Sequence, residues 1–345
     1  TDNVGARLWG DLAWAGGVTT LGGDYGYNHI FSTNLGIKLP EPHGDYTHAD
    51  SRHTGNIWLR HAKRWRRFDA SASAGVSLTP YGTSALWNID GGWKPSESWH
   101  VGLGASQSMR LPTFTDLYYS SPAQINNLDL TPEHAVTFRL GADYARGVWS
   151  ASVQSYYRLG RDLIDWVWYD DIPSNPEAWR GKWHSEQESK LDTYGLEVSG
   201  GYTTTGFLHR ISVSYGYIHT SKVDRVITSS ALDYMKHKAA ATVEFRFLRN
   251  CSLTLTGAVY DRNGSYTYYL RNADGSLMLD PDGKMMTEVR DFKPYFLLDG
   301  RLSWEKKGWK LYFDVMNMTD TRYFDFGGLE MPGVWFSGGI VVTIG

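Results

Sequence analysis

His43, Asp45, His48, Asp50 and His53 crowd one polar stretch, residues 32–52, and its edge. Imidazoles and carboxylates at such spacing are the donors of a zinc or copper site. The stretch reads as an exposed loop, where such side chains are ordinarily solvated, so no metal is assigned. Asp280-Pro281-Asp282-Gly283 resembles the start of a calcium loop, but the bidentate Glu is missing from its required offset. A Pro-Asp-Gly turn accounts for it. His209, Ser212 and Ser214 share a strand, yet there is no Gly-x-Ser-x-Gly elbow and no Ser/His/Asp set stands out. The reading is therefore of a protein that is no enzyme and carries no cofactor. What remains is a wealth of rings. Tyr118 and Tyr119 fall in one outer segment. Trp166, Trp168, Tyr169, Trp179 and Trp183 lie in or beside the next, and Tyr266, Tyr268 and Tyr269 in a third. Rings give large contact area at low entropy cost, which suits a bulky planar ligand. The candidate ligand-binding residues are Tyr118, Tyr119, Trp168, Tyr169, Trp179, Trp183 and Tyr268. The competing role for any one of them is a girdle ring or a support for loop folding.

The elements that must carry these residues are strands. From residue 133, His134, Val136, Phe138, Leu140, Ala142 and Tyr144 alternate with Glu133, Ala135, Thr137, Arg139, Gly141 and Asp143. A period of two puts the sets on opposite faces. Arg146-Gly147 turns, and a strand over 148–168 follows that is too long for an ordinary sheet. Ile211, Val213, Tyr215 and Tyr217 alternate with small or polar residues in the same way, as do Ala239, Ala241, Val243, Phe245 and Phe247. About 15 strands are expected. They include 4–14, 18–31, 53–63, 68–79, 85–95, 100–109, 191–203, 208–220, 236–248, 252–269, 290–304, 309–318 and 334–344, with 221–235 and 271–289 among the long connections. With one exception, at 80–83, their connections alternate between two- or three-residue turns and segments of about fifteen to twenty residues, which is the habit of outer-membrane barrels.

Composition agrees. The chain of 345 residues has a formal net charge of −3, which gives nucleic-acid binding no electrostatic support. No apolar run reaches the length of a membrane helix. A barrel, in which only alternate residues face lipid, stays polar on average. Aromatics make up 14%, with 15 Trp and 22 Tyr, as interfacial girdles require, and the single Cys251 excludes an internal disulfide framework. No amphipathic helix is available to cover the apolar strand faces, so lipid is the simplest cover. Strand parity requires at least one further strand before Thr1, because a single-chain bacterial barrel has an even number. The fold expected is all-β: an antiparallel transmembrane β-barrel, with residues 1–345 forming its C-terminal part.

Several motifs, in order, resemble TonB-dependent outer-membrane receptors. Arg110-Leu111-Pro112 with Leu117-Tyr118 is similar to the family's Arg-x-Pro and Leu-Tyr. Asn127-Leu128 and Leu130-Thr131-Pro132-Glu133 match its Asn-x-x-Leu-x-Pro-Glu. Tyr157 with Asp162-Leu163-Ile164, and then Tyr194-Gly195-Leu196-Glu197, match the strands that follow. Asn317, Asp320 and Tyr323 fit the Asn-Leu-Phe-Asp-x-x-Tyr signature near the end. The resemblance covers residues 110–345. It implies a 22-strand barrel, of which about 15 strands are present, and an N-terminal plug and TonB-contacting region that are absent. It further implies a Gram-negative outer-membrane location and import of a scarce nutrient driven through TonB. The overall look is nearest to cobalamin-receptor-like proteins of Bacteroides-type bacteria. Ferric-siderophore or haem uptake is the alternative, and a passive porin-type channel or a surface-binding protein the alternative from another class. Expected partners are outer-membrane lipid, the TonB complex and a small-molecule nutrient. Whether a surface lipoprotein caps the barrel stays open. Arg139, Asp143, Glu197, Glu244 and Arg246 point to the polar side, where they would hold a plug.

Overall fold

The computed structural model describes the chain except residues 170–172, 222–226, 229–233, 326–327 and 344–345; for 188–189 and 227–228 only the backbone is described. The expected connection 221–235 therefore lies largely outside the described residues. In chain order the elements are β1 (Asp2–Trp14), β2 (Gly17–Ser32), β3 (Ile37–His43), β4 (Tyr46–Arg64), β5 (Phe68–Thr79), β6 (Gly82–Ser96) and β7 (Trp99–Arg110). Next come helix α1 (Phe114–Tyr118), β8 (Gln124–Ile125), β9 (Glu133–Arg146), β10 (Trp149–Tyr169), a 3-10 turn (Glu177–Trp179), β11 (Lys182–Thr203) and β12 (Leu208–Thr220). The remainder are β13 (Ile227–Thr228), β14 (Met235–Phe247), β15 (Cys251–Arg262), β16 (Ser265–Tyr269), β17 (Thr287–Asp291), β18 (Tyr295–Lys306), β19 (Trp309–Met316), β20 (Phe324–Asp325), β21 (Leu329–Glu330) and β22 (Trp335–Val342). Among the described residues, fifteen of these strands have eight residues or more, the number expected, and seven are shorter and lie in connections. No helix among the described residues is long and apolar enough to cross a membrane.

The long strands pair antiparallel with their sequence neighbours, and their short turns have the matching chemistry. Ala15 and Gly16 both have positive φ (52° and 72°), as do Lys307 and Gly308 (48° and 81°). That handedness follows the right-handed twist of the flanking strands.

The chain divides into two units, 1–142 with 154–194 and 220–231, and 143–153 with 195–219 and 232–345. In the first unit the register places Leu8, Gly23, Ile57, Val76 and Ala85 in one cross-strand row, and Leu21, Leu59, Ala74 and Trp87 in another. The opposite face carries the row Arg7, Asp24, Asn56, Ser77 and Ser84, in which the Asn56 amide donates to Asp24 Oδ1 at 2.7 Å. In the second unit Ile211, Val243, Leu255, Gly300, Val315 and Phe336 line up across six strands. Their polar counterparts are Arg210, Glu244, Thr254, Arg301, Asp314 and Ser337. Arg301 donates two hydrogen bonds to Asp314, at 2.5 and 2.9 Å.

Large apolar side chains lie bare on these faces: Leu8 is 81% exposed, Ile57 61% and Phe336 62%. Register cannot slip by one residue without exchanging the faces, so alternation and pairing enforce each other. In the first unit exposed Leu8, Leu21, Ile57, Leu59 and Val76 make a contiguous apolar surface across four strands, the kind that marks an interaction surface or a membrane. The architecture is the barrel fold expected, built from nearly all-β antiparallel strands.

Two stretches differ from expectation. The polar segment 32–52 is not a loop: β2 and β4 continue pairing to Ser32 and His48, and β3 pairs back on β4. Its polar residues hide the alternation Tyr25, Tyr27, His29, Phe31, whose rings stack in sequence with His53 and His43. The strand expected over 252–269 breaks at Gly264, where φ is 94°, and β16 leaves to pair with β17. The connection expected over 271–289 holds two small hairpins with bridges Arg271–Leu277 and Leu279–Met285. Asn272-Ala273-Asp274-Gly275 and Asp280-Pro281-Asp282-Gly283 turn them. In the second, the Gly283 N–H donates to Asp280 O at 3.0 Å and Asp280 Oδ1 accepts from the Asp282 and Lys284 amides. The Pro-Asp-Gly turn is therefore as expected.

Candidate ligand-binding site

The motif residues of the first unit build a compact structural knot at the end of β7. Pro112 keeps Leu111 out of helical space and starts the turn toward α1. Thr113 caps the helix: its side chain accepts from the Asp116 N–H at 3.1 Å, and Asp116 Oδ2 accepts from the Thr113 N–H at 2.9 Å. This reciprocal arrangement satisfies two orphan amides. Arg110 Nη2 donates to Glu133 Oε1 at 2.5 Å, and the same oxygen accepts the Ile164 N–H at 2.7 Å. Glu133, on β9, thus clasps the ends of β7 and β10. Its hydrogen bond is the main reason the Arg110 guanidinium is held even more firmly protonated than usual.

Beneath the clasp, Leu117, Leu130 and Ile164 form a small buried core against which Tyr81 and Tyr118 pack. Tyr81 comes from the short connection between β5 and β6, the exception to the alternation of connections. Leu130→Ala should cost about 2 kcal/mol, the low end for a buried leucine because the cluster is small and its half-buried tyrosines can shift. The opening free energy of the Leu117 amide, read by hydrogen exchange, checks it.

Tyr118 donates to Asp50 Oδ2 at 2.8 Å, and burial first, then that hydrogen bond and the carboxylate's charge, drive its hydroxyl far above the ordinary phenol range. Asp50 is thereby engaged. His53 hydrogen-bonds Tyr25 at 2.6 Å, His43 stacks on Phe31 and His48 meets Thr47. Among the described residues no group of three or more His, Cys, Asp or Glu is placed to hold a metal.

The other rings of the first unit gather nearby. Trp183 and His184 of β11 pair in parallel with Gln124 and Ile125 of β8, and the Trp183 N–H donates to Ala123 O at 2.9 Å. This pairing lays the segment after Tyr119 along the segment that holds Trp183. Tyr119 meets Trp166 edge-on at 6.4 Å, and Trp168 meets Trp183 edge-on at 5.5 Å. Trp179 sits 5.1 Å from Tyr169 and stacks on His184 at 4.1 Å. Tyr119, Trp168, Tyr169, Trp179 and Trp183 thus belong to one neighbourhood with both ring edges and faces, the geometry a flat ligand can enter.

Tyr268 belongs to the second unit, where the Arg290 guanidinium lies 3.5 Å from its ring centroid and Phe324 meets it edge-on. Asn127, by contrast, makes a local turn, accepting from the Asp129 N–H at 2.9 Å, and Pro132 is buried beside Glu133.

Sequence reasoning missed Arg52 and Phe114. Arg52 lies over the Phe114 ring at 4.8 Å and donates to Pro112 O at 2.5 Å. With Thr113, Asn28 and Ile30 the two line a hollow of about 370 Å³, within the range of small-molecule sites. A lone arginine in a polar run gave no signal of this. His184 was also missed; its neighbours Trp179 and Trp183 were the cue. The expected polar-side residues are paired on their own face: Arg139 with Asp90 at 2.9 Å, Asp143 with Ser152 at 2.7 Å and Glu244 with Arg246 at 3.1 Å.

The second unit has its own knot. Asn317 takes the left-handed conformation (φ 50°) and is 3% exposed. Its amide group donates to Thr321 O and Pro332 O at 2.9 and 3.2 Å, and its Oδ1 accepts from the Thr321 N–H at 2.9 Å. Asp320 Oδ1 accepts from the Val334 N–H at 3.2 Å, and Tyr323 stacks on Tyr295 at 4.4 Å. The motif residues Arg110, Pro112, Leu117, Glu133, Asn317 and Asp320 are thus spent in holding outer segments.

Comparison with known proteins agrees with the fold. The vitamin B12 transporter BtuB of Photobacterium profundum is 23% identical over 181 residues, which are 52% of this chain and 28% of that protein. A mutant of the ferric enterobactin receptor of Pseudomonas aeruginosa, in complex with enterobactin, superposes with a TM-score of 0.72 at 14% identity over 99% of this chain and 54% of that one. The copper transporter OprC gives 0.72 at 13% identity, covering 99% and 56%. The chain spans about a quarter of the curated relative and about half of the two solved structures. Residues 7–318 match the family model described as TonB dependent receptor-like, beta-barrel, and with nine-tenths of its length inside that match the chain belongs to this family.

Proposed function

We propose that this chain is the C-terminal barrel part of an outer-membrane receptor that imports a scarce small-molecule nutrient in a TonB-dependent way, and that it is not an enzyme. The observation that carries the proposal is the family match over 7–318, joined to a sheet whose apolar rows have no protein cover. Lipid is the cover assigned, with the short turns at the periplasmic end and α1, β8 and the 3-10 turn on the outer side. Cobalamin is the first ligand to test, because a vitamin B12 transporter is among the relatives and the sequence has the look of the cobalamin-receptor-like proteins of Bacteroides-type bacteria. A ferric siderophore is the second, because a solved relative holds enterobactin. Contact with TonB is assigned to sequence outside residues 1–345, where the plug is placed too.

Tyr119, Trp168, Tyr169, Trp179 and Trp183 are assigned to ligand capture in the first unit, and Tyr268 to the second. Tyr118 contributes through packing and its bond to Asp50, and its free edge alone faces ligand. Trp183→Ala should weaken ligand binding about tenfold, the ordinary cost of a central aromatic contact. Equilibrium binding of the purified full-length receptor to labelled cobalamin and to a ferric siderophore measures it.

The deciding experiment is whole-cell uptake after deletion of the full gene. Uptake of one of the two labelled ligands should disappear, and deleting the TonB complex should have the same effect. Unchanged uptake of both, or steady ion conductance by the purified protein without any partner, would end this reading.

A further inference from the structure

The turn from β4 to β5 carries charge that ligand import leaves unused. Residues 60–67 read Arg-His-Ala-Lys-Arg-Trp-Arg-Arg, five Lys or Arg in eight positions of a chain with a slight net negative charge. Arg64, Arg66 and Arg67 are exposed. The Trp65 N–H donates to Phe68 O at 2.6 Å, which tightens the turn. The N–H of Lys94, on β6, donates to Arg67 O at 2.7 Å, which fixes the Arg67 backbone. Among the described residues, no ion pair engages Arg64, Arg66, Arg67 or Lys94. The nearest carboxylates in sequence do not quench them: Asp69 Oδ1 lies 3.6 Å from His100 Nε2, and Glu97 is exposed at the tip of the neighbouring turn. Lys63 is held from two sides. Its Nζ donates to Ala15 O at 2.7 Å and lies 5.3 Å from the Trp65 ring centroid. Two of its three donor directions stay available.

Position gives this charge a partner. Alternation along β4 puts Ile57, Leu59, His61 and Lys63 on the apolar face. Where the apolar rows end, rings take over. Phe68 stacks on Trp93 with centroids 6.5 Å apart, and Trp14 meets His61 edge-on at 5.8 Å. The cations follow at once. Hydrocarbon, then rings, then positive charge is the order in which a bilayer presents acyl chains, interface and phosphate. An acidic protein would not need a lysine anchored on the face that meets lipid.

We infer that this end of the first unit binds the phosphate of an anionic glycerophospholipid headgroup, with Lys63, Arg66 and Arg67 as donors and Trp65 as the shelf beside Lys63. The inference rests on the membrane reading given above and adds a lipid class to it.

The test uses the full-length protein in phosphatidylcholine bilayers, with spin-labelled phosphatidylglycerol and spin-labelled phosphatidylcholine as probes. The motionally restricted fraction of each label gives a relative association constant. The glycerol lipid should be favoured about threefold or more, since a basic residue near an anionic surface is worth roughly a fivefold effect when fully engaged. K63Q/R66Q/R67Q should bring the two lipids level. R66Q/R67Q alone, at an exposed turn tip, should remove roughly two-thirds of the preference in free-energy terms, and it guards against a folding defect in the larger variant. No preference in the wild type, or a preference kept by both variants, would overturn the inference. So would its loss when inorganic phosphate is added in excess at constant ionic strength, because the ligand would then be a free anion. A protein that inserts into no bilayer would bring down the membrane reading itself, whereas insertion without selectivity overturns only the headgroup assignment.

Discussion

Asn317→Ala should loosen the segment after β19 by about 4 kcal/mol, the largest local effect expected of any single substitution in the second unit. Two physical losses add. Alanine in the left-handed region costs roughly 1–2 kcal/mol because its Cβ crowds the next carbonyl. The three side-chain hydrogen bonds to Thr321 N–H, Thr321 O and Pro332 O contribute about 1 kcal/mol each. Asn317→Gly separates the two, since glycine takes positive φ freely and should recover the first loss alone, leaving about 3 kcal/mol. The measurement is the free energy of opening at the Thr321 amide by hydrogen exchange. Equal protection in wild type and alanine variant would show that the bonds are replaced by others. Alanine and glycine behaving alike would remove backbone strain from the account.

Glu133→Ala is the second large effect, about 3 kcal/mol on the clasp between β7, β9 and β10. The carboxylate is 4% exposed and serves both the Arg110 guanidinium and the Ile164 N–H. Deleting it leaves a buried amide without its acceptor and a cation with only Asp116, 3.5 Å away, and the Ile164 carbonyl at 3.4 Å. Breaking a buried pair costs about 3–5 kcal/mol, and the half-exposed Arg110 puts this one at the low end. Glu133→Gln keeps an acceptor for Ile164 and loses only charge, so its cost should be about 1 kcal/mol. Exchange at the Ile164 amide reads both. Limited proteolysis within residues 111–132 should speed up in the alanine variant and hardly change in the glutamine one. Because this segment leads to Tyr119 and β8, ligand affinity should fall in the same order, with no change in barrel assembly.

How much of this was legible depends on what enforced each feature. The fifteen long strands were readable because faces that meet different solvents must alternate, as in Ile211, Val213 and Tyr215 against Ser212 and Ser214. Where both faces are polar the signal disappears. That is why β3 and the outer half of β4, with Thr47, His48, Asp50 and Arg52, read as a loop. The opposite error came at 252–269, where alternating Tyr266 and Tyr268 carried the strand past Gly264, although that residue's positive φ ends β15 and sends β16 to β17.

The rings of the first unit were legible as a group because they crowd into two short stretches of the sequence, 118–119 and 166–183. Which rings meet was not, because it depends on the parallel pairing of β8 with β11, a contact between residues about sixty positions apart that leaves no periodic trace. The motif residues could be found but not interpreted. Nothing in the spelling Arg-x-Pro tells that Arg110 reaches Glu133, or that Asn317 is chosen for its left-handed backbone. Arg52 over Phe114 had no pattern at all.

The length of β4 has a consequence for what can reach the receptor from outside. Nineteen residues at about 3.3 Å each extend roughly 63 Å, whereas a strand tilted near 45° needs only about 42 Å to traverse a 30 Å hydrocarbon slab. About six residues are left over. Under the proposed lipid cover, Tyr46 to Ser51, hydrogen-bonded to β2 and overlaid by β3, stand as a stiff parapet beyond the hydrocarbon. A bulky visitor would strike that wall first, and a slim one alone would pass to Arg52 and Phe114.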